Sequence, residues 1–327
     1  MASITIAIPT YNRPEKLRRL VEQIVPQLTD EFQIIIIDNC SDIPVSDYIV
    51  YSEIPLQIHR NKINVGGNTN VMRCFEYTTT EWIWVLGDDD NLQDGDLNTV
   101  LTASQEHKTA LAINFSSCSK FSPVRNSTHS AKGLHDLLEM IENFSHLLWI
   151  PSNLFHISLL RDHIKLGNLF SYSHATQLVP LLLAASKGGE VVLSSRTVMI
   201  HGEPDPNDSW NYLTAMTGMG ILLDLPMTVM QRRLLARSIQ DMISLSYELV
   251  QLSYVSKHNL SEQRYLFVAR WTRLICANPR SLKVAGISII YILSFMQPVA
   301  RLLVRTLYGL RRKPIPRSSE GKWFSRV

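Results

Sequence analysis

The chain is short of paired cysteine, of long apolar runs and, towards its C-terminus, of acid. Its four cysteines, Cys40, Cys74, Cys118 and Cys276, are widely spaced, with no CxxC pair. That spacing excludes a disulfide framework and a zinc site of the usual kind, and it fits a reducing compartment. The opening MASITIAIPTYN lacks the basic head and apolar stretch of a signal peptide, so the body is expected in the cytoplasm. No apolar run reaches the ~20 residues of a spanning helix. Residues 264–327 hold 13 Lys+Arg and one acid, Glu320, a net of +12, whereas residues 1–263 are acidic at −9. An acidic body argues against a nucleic-acid binder, and the basic tail calls for a different anionic partner, a lipid surface. The first polar loop, PTYNRPEK, has no glycine, unlike the Gly-rich phosphate loop of nucleotidyltransferases.

What is present is a globular composition, 45% apolar and 19% charged over 327 residues, enough for a large core. SITIAIP, FQIIIID, LQIHR, EWIWVLG and ALAINFS read as strands. RPEKLRRLVEQIVPQL places Leu17, Leu20, Val21, Ile24 and Leu28 at helical spacing behind Pro14. NVMRCFEYTTT predicts a helix opened by Gly66-Gly67-Asn68, and Asp94 is expected to cap another running to about His107. Alternating strands and helices predict a doubly wound α/β sheet whose ligands gather at the strand carboxyl ends. Residues 116–133 read as a loop, 134–188 as mainly helical, EVVLSSRTVMIHG as a strand pair or one bent strand, and 225–277 as two helices. From Val284 the tail is apolar and then amphipathic, with Arg301 and Arg305 among aliphatic residues. It fits an interfacial helix with a basic flank, the alternative being a helix packed on the body.

WIWVLGDDDNL carries the sharpest chemical signal. A buried strand ends at Gly87, and Asp88, Asp89 and Asp90 follow without a break. Adjacent carboxylates repel and resist desolvation. Either water surrounds them in an acidic turn, or a divalent cation with hard oxygen ligands sits among them.

Four motifs in order, ITIAIPTYNR, IIIIDNCSD, NVGGNTN and WIWVLGDDDNL, resemble those of family-2 glycosyltransferases of the GT-A fold. The resemblance covers residues 3–115 well and the remainder loosely. The helical region and tail are similar to bacterial O-antigen and capsule enzymes of the abequosyltransferase kind. The resemblance implies a GT-A, Rossmann-like nucleotide-sugar domain with a mainly helical C-terminal region. Its nucleotide-binding half would be residues 1–115 and its acceptor half 116–215, followed by a helical extension, 216–280, and a membrane-associating tail, 281–327. It implies donor contacts from Pro9, Thr10, Tyr11, Arg13, Asp38, Asn39, Asn64, Gly66, Asn70, Asp88 and Asp89. Mn²⁺ or Mg²⁺ would be held by Asp88 and Asp90, with His201 a further ligand candidate. An acidic base is missing from FSYSHATQLVPLLLAASKGG, leaving His174, Asp205 and Asp208 as candidates. The implied reaction is inverting transfer from a nucleotide-sugar donor to a glycan or lipid-linked acceptor, at the inner face of the plasma membrane. The alternatives are a nucleotide-sugar-binding protein that has lost catalysis and a nucleotidyltransferase.

Overall fold

The structure, a computed structural model, describes residues 2–50, 54–116, 124–141, 144–199, 218–242, 272–279 and 296–310, with isolated positions between 285 and 292. Two compact units divide it: Met1–Met140 with Ser145–Glu203, and Ile141–Phe144 with Pro204–Val327.

The first unit is built on an eight-stranded sheet. Its strands are β1 (Ile4–Thr10), β2 (Phe32–Asp38), β3 (Leu56–Arg60), β4 (Trp82–Val85), β5 (Ala112–Ser116), β6 (His129–Lys132), β7 (Asn153–His156) and β8 (Glu190–Thr197). The spatial order is β3-β2-β1-β4-β7-β5-β8-β6. β3, β2, β1 and β4 run parallel, and β5 runs parallel to β8. Ile34, Ile35, Ile36 and Ile37 are all buried, as are Trp82, Ile83, Trp84 and Val85. Such two-sided burial is what a continuous apolar strand achieves in a parallel sheet, and it explains why these runs do not alternate.

Helices cover the sheet. α1 (Pro14–Ile24) buries Leu17, Leu20, Val21 and Ile24 against Ile4, Ile6, Ile8, Ile34 and Ile36, with Pro14 in its first turn. α2 (Gly67–Tyr77) buries Val71, Met72 and Phe75, and α3 (Asp96–Glu106) buries Leu97, Val100 and Ala103. Each aliphatic side chain so removed from water contributes about 1.5–3 kcal/mol. After β6 come α4 (Gly133–Met140), α5 (Ser145–Leu148), α6 (Ile157–Leu160), α7 (Ile164–Leu169) and the nearly all-buried α8 (Leu178–Ser186).

Three expectations need correction. The sheet is mixed: β7 is inserted antiparallel between β4 and β5. Its four residues, NLFH, are too few to stand out among the flanking helices. The stretch read as a loop contains the edge strand β6, which pairs antiparallel with β8, buries Ala131 and leaves its polar residues exposed. Asp94 is exposed and caps nothing; Gly95, at φ 88°, occupies the cap position, and Asp96 opens α3. β8 is one strand whose register against β5 shifts between Asn114 and Ser116.

In the second unit, Thr228 and Gln231 form a reciprocal cap on the helix Val229–Asp241. Its buried Gln240 donates to Leu274 O at 2.9 Å and accepts from Asn278 Nδ2 at 3.0 Å. The helix Gln297–Leu310 buries Ala300 and Val304 and exposes Val299, Leu302, Leu307 and Leu310. No helix among the described residues is long and apolar enough to cross a membrane.

Asp38 ends β2 fully buried and ion-paired with Arg60 at the end of β3. Arg60→Ala leaves that carboxylate without its cation, an expected loss of about 3 kcal/mol, the lower end for buried pairs because Arg60 reaches solvent. Urea unfolding followed by circular dichroism measures it; a loss under ~0.5 kcal/mol would contradict the assignment.

Candidate functional site

The carboxyl ends of β1, β2, β3 and β4 lie on one edge because those strands are parallel. Thr10 is in register with Asp38, and Asp38 with Arg60. This geometry brings the four sequence motifs together.

Asp38 faces inward. Its Oδ1 accepts the Ser41 N–H at 2.8 Å, and its Oδ2 accepts from Val45 N–H at 3.4 Å and from the Arg60 guanidinium. Arg60 also donates to Ser41 O at 2.7 Å. In this arrangement Asp38 organises the turn after β2, the turn-cap reading of an Asp in that place, rather than presenting an oxygen to a ligand. Asn39 is the centre of an amide relay. It donates to Asn64 Oδ1 at 2.8 Å, and its own Oδ1 accepts from Asn61 Nδ2 and Val65 N–H, both at 3.0 Å. Asn61 Nδ2 also reaches Asn70 Oδ1 at 2.8 Å, and Asn70 Nδ2 donates to Ile37 O at 3.0 Å. Asn64 Oδ1 accepts the Gly66 N–H at 2.9 Å, and Gly66 takes φ 83°, where a side chain would be strained. Asn39, Asn64, Gly66 and Asn70 therefore fix the loop that leads into α2. Pro9 and Thr10 close β1, and Tyr11 stands 42% exposed just beyond.

The acidic triplet is only partly solvated: Asp88 and Asp90 are buried. Asp88 Oδ2 accepts from Thr10 Oγ1 at 2.7 Å, and its Oδ1 accepts from Arg13 Nη1 at 3.0 Å. The same Nη1 reaches Asp89 Oδ2 at 3.3 Å, with Lys16 Nζ at 3.7 Å. Asp90 instead turns back to accept the Gly87 N–H at 2.7 Å. Burial pushes Asp90 up to about 8, aided by the charge of Asp89 and opposed by the Gly87 N–H and a hydrogen bond from Trp149. Burial also raises Asp88, against the pull of Arg13 and Thr10.

The residues fit a divalent cation that shares its shell with a ligand. Asp88 Oδ1 and Asp89 Oδ2 converge on one point, now marked by a guanidinium nitrogen. Mg²⁺ commonly takes one or two carboxylates and completes its shell with water and phosphate oxygens. The convergent pair is Asp88 and Asp89, whereas the sequence pointed to Asp88 and Asp90. Among the described residues no three His, Cys, Asp or Glu side chains gather into a self-sufficient metal site. His201, Asp205 and Asp208 lie outside the described residues.

His174, a candidate base from the sequence, precedes α8. It follows the 3₁₀ turn Ser171–Ser173 in a left-handed conformation, φ 56°. Its Nδ1 lies 3.3 Å from Asn68 Nδ2 in the first turn of α2, beside the loop that Asn39 and Asn64 fix. Burial lowers its pKa, so the imidazole is neutral at physiological pH. Sequence reasoning missed Arg60, Asn61, Asn68 and Trp149, whose roles depend on strand register. It also missed Asp96, whose buried Oδ2 accepts Gln93 N–H at 2.7 Å and Met199 N–H at 3.0 Å, tying the end of β8 to the loop after the triplet.

The comparisons with known proteins bear on the N-terminal half of the chain. The family described as Glycosyl transferase family 2 matches over residues 5–164. Residues 5–164 are a family-2 glycosyltransferase domain. The abequosyltransferase RfbV of Salmonella typhimurium is 30% identical over 105 residues, 30% of this chain and 32% of its own. The matched stretches span only 32% to 45% of the curated relatives' own lengths. Staphylococcus aureus TarS 1–349 in complex with UDP-GlcNAc superposes with a TM-score of 0.58 at 17% identity, over 95% of this chain and 92% of that one. A Pyrobaculum calidifontis mannosyltransferase in complex with GDP-Man and Mn²⁺ gives 0.50 at 11% identity, over 95% and 88%. These two likenesses establish the GT-A fold.

Two predictions test the site. A Cβ on Gly87 would lie 2.9 Å from Asp90 Oδ2 and 3.1 Å from Asp89 Oδ1. Gly87→Ala should displace both carboxylates, cost about 1–3 kcal/mol and weaken Mn²⁺ binding measured by calorimetry; unchanged binding would contradict it. Asp90 is held near 8 in the folded chain and titrates near 4 unfolded. Its contribution to stability is full below about pH 4 and is lost as pH rises through about 8. Thermal denaturation without metal should therefore show Asp90→Asn losing less stability than the parent over that window; parallel profiles would contradict it.

Proposed function

We propose that the chain is a metal-dependent, inverting glycosyltransferase. It moves a sugar from a nucleotide-sugar donor to a lipid-linked glycan in surface-polysaccharide synthesis, at the cytoplasmic face of a membrane. The observation that carries this reading is the convergence of Asp88 and Asp89 on one cationic point beside Thr10 and Arg13. RfbV, named as an abequosyltransferase, supports the polysaccharide assignment, and the Mn²⁺-bound mannosyltransferase supports the cation.

Asp88 and Asp89 would hold Mn²⁺ or Mg²⁺, which supplies Lewis-acid neutralisation of the departing diphosphate when bound. Tyr11, exposed past β1, is placed to stack on a base. Arg13 and Lys16 can turn from the carboxylates to phosphate oxygens, keeping their charge paired throughout. The asparagine relay holds the Asn64–Gly66 loop rigid beside them. His174 is the described candidate for the base, since a neutral imidazole can accept the acceptor hydroxyl proton. Asp205 and Asp208 remain the acidic candidates. The exposed apolar face of Gln297–Leu310, in a tail of net +12, suits an anionic lipid surface.

Donor hydrolysis and transfer, assayed with a panel of UDP-, GDP- and CDP-sugars, tests the reading. Activity should need Mn²⁺ or Mg²⁺, vanish with EDTA and fall at least 100-fold in Asp88→Asn with the fold retained. Full activity in EDTA would overturn metal dependence. Tight nucleotide binding with no turnover on any acceptor would favour the non-catalytic alternative.

A further inference from the structure

We propose that Arg125 forms an anion-binding subsite on the acceptor side of the sheet edge, holding a phosphate or carboxylate of the acceptor. The inference rests on the reading of Asp88–Asp90 as the donor end of the site.

Arg125 is half-buried, yet all its partners are neutral. Its Nη1 donates to Asn114 O at 3.0 Å and to Ser194 O at 3.2 Å, and its Nη2 donates to Asn114 Oδ1. Its backbone N–H donates to Ser116 Oγ at 2.9 Å. No carboxylate among the described residues pairs with it. Burial lowers its pKa to about 10, which leaves it charged at neutral pH. A guanidinium has five N–H groups in a rigid fork. The Nε–H and the second Nη2–H have no partner among the described residues, and together they form the edge that grips carboxylate or phosphate in bidentate fashion. Where β5 shifts register against β8, Asn114 O and Ser194 O need a donor, and one side of the fork supplies it. That structural task leaves the other side unused, and a cation set into protein without a counter-ion is costly unless a ligand supplies one.

The position suits an acceptor. Asn114 Nδ2 donates to Asn153 Oδ1 at 2.9 Å and Ser152 Oγ at 3.2 Å. Ser152 Oγ and Asn153 Nδ2 both donate to Trp149 O, at 2.7 and 2.9 Å. The Trp149 side chain hydrogen-bonds Asp90. One continuous polar network therefore joins the acidic triplet to Arg125. β5 lies two strands from β4, roughly 10 Å at the usual strand spacing. An acceptor with its hydroxyl near the triplet would bring an oxyanion further along its chain to the free edge of the fork.

The test titrates the full chain with glycerol 1-phosphate, glucuronate and glucose at fixed ionic strength, followed by NMR, with nucleoside diphosphate affinity as the control. Saturable binding of glycerol 1-phosphate assigns phosphate, saturable binding of glucuronate assigns carboxylate, and glucose should bind neither way. Arg125→Gln should weaken the bound anion at least tenfold and leave nucleotide affinity unchanged. Should that variant not fold, Arg125→Lys decides, because lysine keeps the charge and loses the fork: weaker anion binding supports the subsite and equal binding overturns it. Absence of saturable anion binding by the parent, or undiminished binding by Arg125→Gln, also overturns it. Nucleotide binding retained in those cases leaves the transferase reading standing; its loss in the parent would strike that reading instead.

Discussion

The pairing of the buried Asp88 carboxylate with Thr10 and Arg13 is the constraint on which the edge of this sheet depends. Three acids follow one another where β4 leaves the core, and two are buried. Such an arrangement persists only if positive charge, hydrogen bonds or protons offset the repulsion. All three are present. Arg13 and Lys16 supply charge, Thr10 and the Gly87 N–H supply hydrogen bonds, and Asp90 keeps its proton to about pH 8. Neighbouring charge thus offsets the triplet, with a guanidinium holding the point where two carboxylates converge.

The rest of the first unit makes that point reachable. Parallel strands bring Thr10, Asp38 and the triplet to a common edge, and apolar residues on both faces of each strand keep the edge rigid. The loops above it are fixed by side-chain amides and by the Asp38–Arg60 pair. Rigid donors and acceptors around a small number of convergent carboxylates are what electrostatic catalysis requires, because little reorganisation is left for the reaction itself. His174 is held by similar means, in a left-handed turn leaning on Asn68.

Much of this was legible in the sequence, because long isoleucine runs and helical spacing of leucines have few alternative readings. The strands β1 to β5 and the helices α1 and α2 lie where the apolar runs and helical spacing put them. β7 was hidden because four residues between helices carry no period, and β6 because an exposed edge strand has the composition of a loop. At the site, motif order revealed the acids and asparagines but not their orientation. Asp38 looked like a ligand contact and is turned inward, since its partner, Arg60, becomes its neighbour only when β2 and β3 pair. Arg125 and Trp149 were invisible for the same reason: what gives them chemistry is Asn114 and Asp90, distant in the chain. Asp94 was expected to cap α3 by its chemistry, but the left-handed Gly95 takes the cap position and leaves Asp94 exposed.

The central claim is that Asp88 and Asp89 hold a divalent cation jointly with a nucleoside diphosphate. Electron paramagnetic resonance of Mn²⁺ tests it directly, titrating the full chain with UDP or GDP. The account predicts weak Mn²⁺ binding alone, a protein-bound signal that grows sharply when the matching diphosphate is added, and loss of that growth in Asp88→Asn. An identical ternary signal in Asp88→Asn and in the parent would contradict it.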